Sequence, residues 1–328
     1  MTRDSRLLFL LTTLLIVAGP AAAAETWGGY AEINADSKNR NDTDVDVKAK
    51  LELDTRRVEG MKAHIEAEGS AIKREVYLED VYIDYKFSKK LRATLGYSKK
   101  ILGLEYETGK KKRLTVHRSP FYQKMESLGI VGRQINLRFD LKLNKEKKTG
   151  TFLSGALGGD NSKDFNVQLS LQHKTKYWGA GLWTLIESHR IDGRSILVTA
   201  ETASVWHKSD HASMALELFH GVDAVRTEFQ EYLSRKRTVH FMGPKVDLAL
   251  HFELKKKLII SPVLRASLVF DDIERPEENT LHALGGVHLR WNRVVVSVNA
   301  ETYGVNDVNT HERRFRRKSY YGQVVYYF

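Results

Sequence analysis

Hydrophobic and polar residues alternate with a period of two along most of the chain. The clearest runs are 45–54, 61–68, 131–142, 166–172 and 246–254. In the first run, Leu51 and Leu53 lie on one face, whereas Glu52 and Asp54 lie on the other. A period of two places successive side chains on opposite faces of a β-strand. The pattern therefore predicts an all-β protein made of antiparallel strands with one apolar face.

The last ten residues, 319–328, form an alternating strand that is rich in aromatic residues. Tyr320, Gly322, Val324, Tyr326 and Phe328 share one face of it. A soluble β-sandwich has the same period, but alternating runs of about ten residues are long for soluble strands and match a tilted membrane crossing. Aromatic residues at strand ends are typical of membrane interfaces. We therefore predict a transmembrane antiparallel β-barrel.

Sixteen strands account for the alternating runs, although 14 or 18 strands remain compatible with small reassignments. The predicted strands are 26–35, 44–55, 61–69, 76–87, 91–98, 129–142, 150–158, 165–174, 177–186, 194–207, 211–221, 244–255, 258–270, 280–291, 294–303 and 318–328. Short connections follow the even-numbered strands. Longer ones follow odd-numbered strands, at 36–43, 99–128, 222–243 and 304–317. This asymmetry predicts that both termini lie on the periplasmic side.

The N-terminal segment has the layout of a secretory signal peptide. Arg3 and Arg6 precede an apolar run from Leu7 to Ala18, and small residues lead to Ala24. A membrane anchor is the alternative, but the apolar run is short for a spanning helix. We predict a signal peptide at 1–24 and an outer-membrane β-barrel at 25–328.

Composition restricts the possible partners. The chain has no Cys and a formal net charge of +11. Such a surplus favours nucleic acid, acidic headgroups or anionic solutes. Nucleic acid is not a suitable partner for an exported protein. The predicted partners are therefore outer-membrane lipid, lipopolysaccharide and small anionic solutes. The histidines are scattered, so we predict no metal and no cofactor.

One stretch of the chain resembles the phosphate-selective porin O/P family. The resemblance rests on Leu78–Phe87, Leu91–Gly96, Ile101–Glu105, His117–Pro120 and Val131-Gly132, and it extends over about 76–139. Leu102 stands where the family usually has Pro, and the basic block 110–113 has no clear counterpart in the family pattern. The resemblance implies a homotrimeric, sixteen-stranded channel in the bacterial outer membrane that prefers anions.

The third external loop, about 99–128, is strongly basic. Its cations are Lys99, Lys100, Lys110, Lys111, Lys112, Arg113, Arg118 and Lys124, against Glu105, Glu107 and Glu126. In sixteen-stranded porins this loop commonly folds into the barrel, where a positive segment focuses the potential and favours anions. The alternative is a solvated outer loop whose lysines contact lipopolysaccharide phosphates.

The predicted anion-binding or pore-lining residues follow from strand parity and from this loop. They are Arg92, Lys110, Lys111, Lys112, Arg113, Arg118 and Arg138. Arg and Lys bind phosphate oxygens through charge-assisted hydrogen bonds. Arg133 has lipid-facing parity and is excluded unless it lies at the rim. Trp183 lies in mid-strand on the lumen face, and the sequence offers no reason for it.

These features favour an outer-membrane porin, a passive diffusion channel for small hydrophilic solutes with a preference for anions, possibly phosphate, and not an enzyme. Two alternatives remain open. An outer-membrane barrel enzyme would hydrolyse lipid or peptide and would need a positioned nucleophile and base. A non-conducting structural barrel would insert into the membrane without transporting solutes.

Overall fold

A computed structural model describes most of the chain. The described residues are 24–39, 42–71, 74–108, 113–144, 149–159, 165–191, 194–227, 237–255, 257–277, 279–306 and 313–328. The predicted signal segment, except for Ala24, and the predicted site residues Lys110, Lys111 and Lys112 lie outside these residues.

The strands form one closed antiparallel sheet. They are β1 (Ala24–Asn39), β2 (Asp42–Val58), β3 (Met61–Ser70), β4 (Glu75–Lys86), β5 (Leu91–Lys99), β6 (Arg133–Lys142), β7 (Gly150–Gly159), β8 (Asn166–Lys174), β9 (Trp178–Ile191), β10 (Arg194–Lys208), β11 (Ala212–Val222), β12 (His240–Leu250), β13 (Phe252–Lys255), β14 (Leu258–Phe270), β15 (Asn279–Trp291), β16 (Val294–Asn306) and β17 (Arg313–Tyr327). Each strand pairs with its neighbours in sequence, and β17 closes the barrel on β1, where Tyr30 lies opposite Tyr327. Both β12 and β13 pair with β14, so they occupy one position. The barrel therefore has sixteen strand positions, which confirms the predicted fold class.

The outer face of the barrel is apolar, as the alternation predicts. On β10, Val198 and Ala200 are completely buried, whereas Leu197 and Val205 are 63% and 47% exposed. Exposed aliphatic and aromatic side chains recur around the outer face on the other strands. In a bilayer, these outward residues contact lipid, and the inward residues face the lumen.

Several strand boundaries differ from the predicted ones. The predicted long connection at 36–43 is wrong, because β1 continues to Asn39 and β2 begins at Asp42. Asp36 and Ser37 pair with Asp44 and Thr43 in this extension. Polar residues occupy both faces there, so the hydrophobic alternation ends before the hydrogen-bonded ladder does. Similarly, β12 begins at His240, four residues before the predicted start.

Two short described helices lie between β5 and β6, namely α1 (Leu104–Glu107) and α2 (Pro120–Ser127). A further helical turn is described at residues 224–227, after β11. Within the described residues, no helix has the length and apolar character needed to cross a membrane.

The described residues of the third loop, 100–108 and 113–132, pack against the inward faces of β9 to β12. Its buried apolar side chains belong to one cluster with inward-facing strand residues; the loop contributes Ile101, Leu102, Tyr106, Phe121, Tyr122, Met125, Ile130 and Val131, and the strands contribute Trp183, Leu185, Ile196, Val198, Ala200, Phe219, Val222 and Phe241 among others. The rings of Phe121 and Phe219 stack with centroids 4.3 Å apart. Each such side chain stabilises the packed loop by about 1.5–3 kcal/mol. The loop therefore lies inside the barrel and fills one side of it.

This packing explains why Trp183 lies on the lumen face of its strand. Its side chain is buried in the cluster, and its Nε1–H donates a hydrogen bond of 2.8 Å to the Glu107 carboxylate of α1. A buried Trp usually places its N–H on a polar partner while its ring packs among apolar groups. An aromatic side chain on the lumen face thus serves as an anchor for the loop.

Candidate functional site

The lumen that the loop leaves open is a cavity of about 1100 Å³. Its walls come from β1 to β6, β16 and β17 and from the third loop. This cavity lies across the barrel from the apolar packing of the loop on β9 to β12. The loop therefore confines the solute-accessible space to one side of the lumen.

Charged side chains of both signs line the cavity. Nine are carboxylates: Glu32, Asp36, Asp46, Glu52, Glu66, Glu68, Glu79, Glu126 and Glu301. Six are Lys or Arg: Lys48, Lys50, Lys99, Arg113, Arg118 and Arg133. By count alone this wall would favour cations, so the pairing of the charges decides which sign a solute meets.

Three of the cations are neutralised by carboxylates on the strands. Lys50 binds Glu66 and lies 2.5 Å from Glu79. Arg133 lies 3.0 Å from Glu79 and 2.8 Å from the carboxylate of Asp80. Lys48 is 3.7 Å from a carboxylate oxygen of Glu68. These pairs offset three of the negative charges on β2 to β4.

Tyrosine hydroxyls also bind these carboxylates. Tyr30 and Tyr77 donate hydrogen bonds of 2.7 and 2.8 Å to the two oxygens of Glu68. Across the cavity, Tyr321 donates to Glu301, which also lies 3.1 Å from Nε2 of His282. A carboxylate that accepts such bonds offers fewer lone pairs to a passing cation.

The other three cations have no carboxylate within 4.0 Å among the described residues. They are Lys99 at the end of β5, and Arg113 and Arg118 on the segment between α1 and α2. The guanidinium of Arg118 lies over the ring of Tyr106, 4.4 Å from its centroid. Within the described part of the chain, the Nε–H of Arg113 is buried and has no hydrogen-bond acceptor. These donors face the cavity with their charge uncompensated.

Arg113 keeps its charge at neutral pH. Desolvation by the surrounding protein, followed by the nearby Arg118, lowers the pKa of the Arg113 guanidinium to about 10. The shift shows that two like charges are held together in a poorly hydrated place. An anion that entered there would relieve both effects.

The predicted site residues separate into three groups. Arg113 and Arg118 line the cavity. Arg92 and Arg138 are inward-facing but converge on Asp140, with hydrogen bonds of 2.8 Å and 2.7 Å. The remaining three, Lys110, Lys111 and Lys112, lie outside the described residues.

Four lining cations, Lys48, Lys50, Lys99 and Arg133, were not among the predicted residues. The sequence excluded Arg133 unless it lay at the rim, and its side chain, at the end of its strand, enters the cavity and binds Asp80. Arg133 is the first residue of β6 and follows Gly132, whose φ is +152°, so regular strand parity does not extend to it. Lys99 lies opposite Arg133 at the end of β5, at the same irregular edge. In the sequence, Gly132 immediately before β6 is the feature that indicates this break in strand parity.

One set of side chains on the described part of the wall has the spacing of metal ligands. Ligand atoms of His64, Glu66 and Asp80 lie within 4.8 Å of one another. However, Lys50 binds Glu66, and Arg133 lies 2.8 Å from Asp80. Protein cations already satisfy these carboxylates, so the cluster is an ion-pair network of the wall.

Comparison with known proteins agrees with this architecture. The family model described as phosphate-selective porin O and P matches residues 24–203. No curated protein sequence matches the chain. The outer membrane channel DcaP of Acinetobacter baumannii has a similar structure, with 11% identity, a TM-score of 0.64, and 94% of this chain and 99% of that chain covered.

Two other solved structures share the fold. An anion-selective porin from Comamonas acidovorans has 9% identity and a TM-score of 0.61, with 94% of this chain and 100% of that chain covered. The trimer form of OmpT, an outer membrane protein of Vibrio cholerae, has 9% identity and a TM-score of 0.62 over the same shares of the two chains. At these identities the structures show the fold alone. Because the family model covers more than half of the chain, this outer-membrane β-barrel channel belongs to the phosphate-selective porin O and P family.

Proposed function

We propose that this channel is a passive diffusion pore for small hydrophilic solutes with a preference for anions, and that it is not an enzyme. The observation that carries the proposal is the set of three cavity-lining cations, Lys99, Arg113 and Arg118, that have no carboxylate within 4.0 Å among the described residues. Among the described residues, these are the lining cations whose charge no ion pair offsets, so an anion close to them meets positive charge directly. A narrow lumen with low-dielectric walls focuses the potential of these charges.

Selectivity in this proposal comes from weak contacts at several points. A permeating anion would exchange part of its hydration shell for guanidinium and ammonium N–H donors, and would leave because no contact is strong enough to hold it. Phosphate suits these donors because Arg presents N–H groups in a fork that matches two phosphate oxygens. We therefore propose phosphate as a favoured solute within the broader preference for anions.

The proposed assembly is a homotrimer in contact with outer-membrane lipid and lipopolysaccharide. The trimer form of the Vibrio cholerae protein supports the oligomeric state by analogy of fold. The apolar outer face of the strands supports the lipid contact. We propose further that residues 1–24 are a signal peptide that is removed on export.

The test is single-channel recording in a planar bilayer under a KCl gradient. We expect stable conductance and a reversal potential of the sign for chloride preference. Addition of phosphate should then reduce the chloride current at concentrations at which an uncharged sugar does not. A cation-selective reversal potential would overturn the anion preference, and folded protein that did not conduct would overturn the channel itself.

A further inference from the structure

Glu105 joins the two ends of the loop segment that carries Arg113 and Arg118. Its Oε1 accepts a hydrogen bond of 2.9 Å from the backbone N–H of Ser119, and its Oε2 accepts one of 2.7 Å from the Ser119 hydroxyl. Glu105 lies in α1, and Ser119 immediately precedes α2. One buried carboxylate thus joins α1 to the start of α2, directly after the described segment 113–118.

The same carboxylate is bound to the barrel wall. Nζ of Lys245 on β12 donates to Oε2 of Glu105 at 2.8 Å. A guanidinium nitrogen of Arg265 on β14 lies 3.0 Å from Oε1. Arg265 also donates a hydrogen bond of 3.1 Å to the backbone carbonyl of His117, beside Arg118. The base of the segment is therefore fixed to two strands through both of its ends.

Glu217 on β11 completes this network. Its Oε1 accepts hydrogen bonds from the backbone N–H of Leu104, at 2.9 Å, and from the hydroxyl of Ser204, at 3.0 Å. Its Oε2 lies 2.5 Å from Nζ of Lys245. Glu105, Lys245 and Glu217 are each at most 5% exposed. A buried charge that loses its partner costs about 3–5 kcal/mol, so a network of this kind holds one arrangement against alternatives.

We propose that Glu105 is a positioning residue that holds the described cationic segment 113–118 over the lumen and so sets the anion preference of the channel. It does not contact the solute: Glu105 does not line the cavity, whereas Arg113 and Arg118 do. The inference rests on the proposed function, because it assumes that those two arginines carry the selectivity. It adds that their placement depends on a carboxylate, a group whose own charge opposes anion entry.

The charge of Glu105 and its proposed positioning role predict opposite changes in anion preference, and this difference provides the test. Glu105→Gln keeps the shape of the side chain but removes the charge that binds Lys245 and Arg265. If Glu105 acted only through its charge, removing that charge would increase the anion preference. If it positions the segment, the change should release Arg113 and Arg118, lower the anion-to-cation permeability ratio at least twofold and increase the open-channel current noise.

Glu126→Gln is the matched control. Glu126 lies on α2 of the same loop, is exposed and lines the cavity, and has no part in the Glu105 network. This variant removes one negative charge from the same loop without touching its base. We expect a modest rise in anion preference with noise like that of the wild type, which is the opposite direction to that expected for Glu105→Gln.

Ser119→Ala is a second variant for the case in which Glu105→Gln does not fold. It removes the hydrogen bond from the hydroxyl but leaves the bond from the backbone N–H, so we expect a smaller change in the same direction as for Glu105→Gln. Folding is checked by the heat-dependent gel mobility of each purified barrel. Two results in folded Glu105→Gln would overturn the positioning role. They are an increased or an unchanged anion-to-cation permeability ratio, each with open-channel current noise like that of the wild type.

The outcome for the proposed function is read separately. It depends on the reversal potential of the wild-type channel, which is recorded first. A wild-type channel without anion preference would remove the proposed function, whereas a rise in noise specific to Glu105→Gln would still show that Glu105 holds the segment.

Discussion

Replacing the two unpaired arginines of the loop with glutamine should reduce the anion preference of the channel. Arg113 and Arg118 line the cavity, and neither has a carboxylate partner within 4.0 Å among the described residues. The double variant Arg113→Gln/Arg118→Gln removes two positive charges while keeping polar side chains of similar length. Neither residue belongs to the buried cluster, and the one cluster contact that the change removes is that of Arg118 with the ring of Tyr106.

The size of the cavity sets the expected magnitude. A sphere of 1100 Å³ has a radius of about 6 Å, which is the scale of the distance from a lining charge to a central solute. At about 6 Å, Coulomb's law gives about 0.7 kcal/mol for each pair of unit charges in a medium like bulk water. Two charges then contribute about 1.4 kcal/mol, and screening with a Debye length of about 10 Å at 0.1 M salt reduces this to about 0.8 kcal/mol. We therefore expect anion occupancy to fall about fourfold.

The assay is the reversal potential under a KCl gradient, with the permeability ratio calculated for each variant. Arg138→Gln is the control, because Arg138 is also an inward-facing cation but its Nε lies 2.7 Å from Asp140. It should change the ratio much less than the double variant. The effect of the double variant should also shrink at 1 M salt, where the Debye length is about 3 Å. A double variant with the wild-type ratio at low salt would refute the assignment of selectivity to these arginines.

Three further predictions concern the loop and its anchors. Trp183→Phe loses the hydrogen bond to Glu107. It should therefore destabilise the barrel in thermal unfolding by about 1.5–3 kcal/mol, whereas the exposed Trp178→Phe should have little effect. Gly103 has a φ of +77°, and a Cβ there would lie 1.9 Å from the Tyr122 hydroxyl. Gly103→Ala should therefore increase the open-channel current noise. Gly155→Ala should not, because the nearest atom to a Cβ at that position would be 3.5 Å away. Burial alone would raise the pKa of Glu105, but Arg265 and Lys245 hold that pKa well below its usual value. The ionised carboxylate contributes stability that is lost only as pH falls through this lowered pKa, so open-channel noise should be equal at about pH 7 and pH 4.5, and a rise at pH 4.5 would contradict the reasoning.

The fold followed from the sequence because a period of two is a local property. The terminal strand was assigned from its own ten residues, and Tyr327 lies opposite Tyr30 as closure requires. The predicted strand boundaries differ from the observed ones where a strand extends beyond the bilayer, because lipid does not require an apolar face there. The extension of β1 to Asn39 is an example, because the polar residues there show no alternation of hydrophobic and polar positions.

The position of the third loop depends on long-range packing, which the period does not report. Parity places Trp183, Phe219 and Phe241 on the inward face but does not identify their partners. A usable signal was nevertheless present. The neighbouring strands β9 to β12 have large apolar residues on the lumen face as well as on the lipid face, which a water-filled barrel does not require. Apolar residues on both faces of adjacent strands therefore indicate that another segment covers them from inside.

The proposed anion preference depends on where the unpaired cations lie, because the lining has nine carboxylates and six Lys or Arg residues. The cations on β2 and β6 lie within reach of carboxylates on β3 and β4, so these cations are already paired. Arg113 and Arg118 sit on a loop segment whose nearby carboxylate, Glu105, is already bound by Lys245 and Arg265. Their positive charge therefore remains available to a solute. The net charge of +11 does not identify these cations, because the fold decides which of the Lys and Arg residues lack a carboxylate partner.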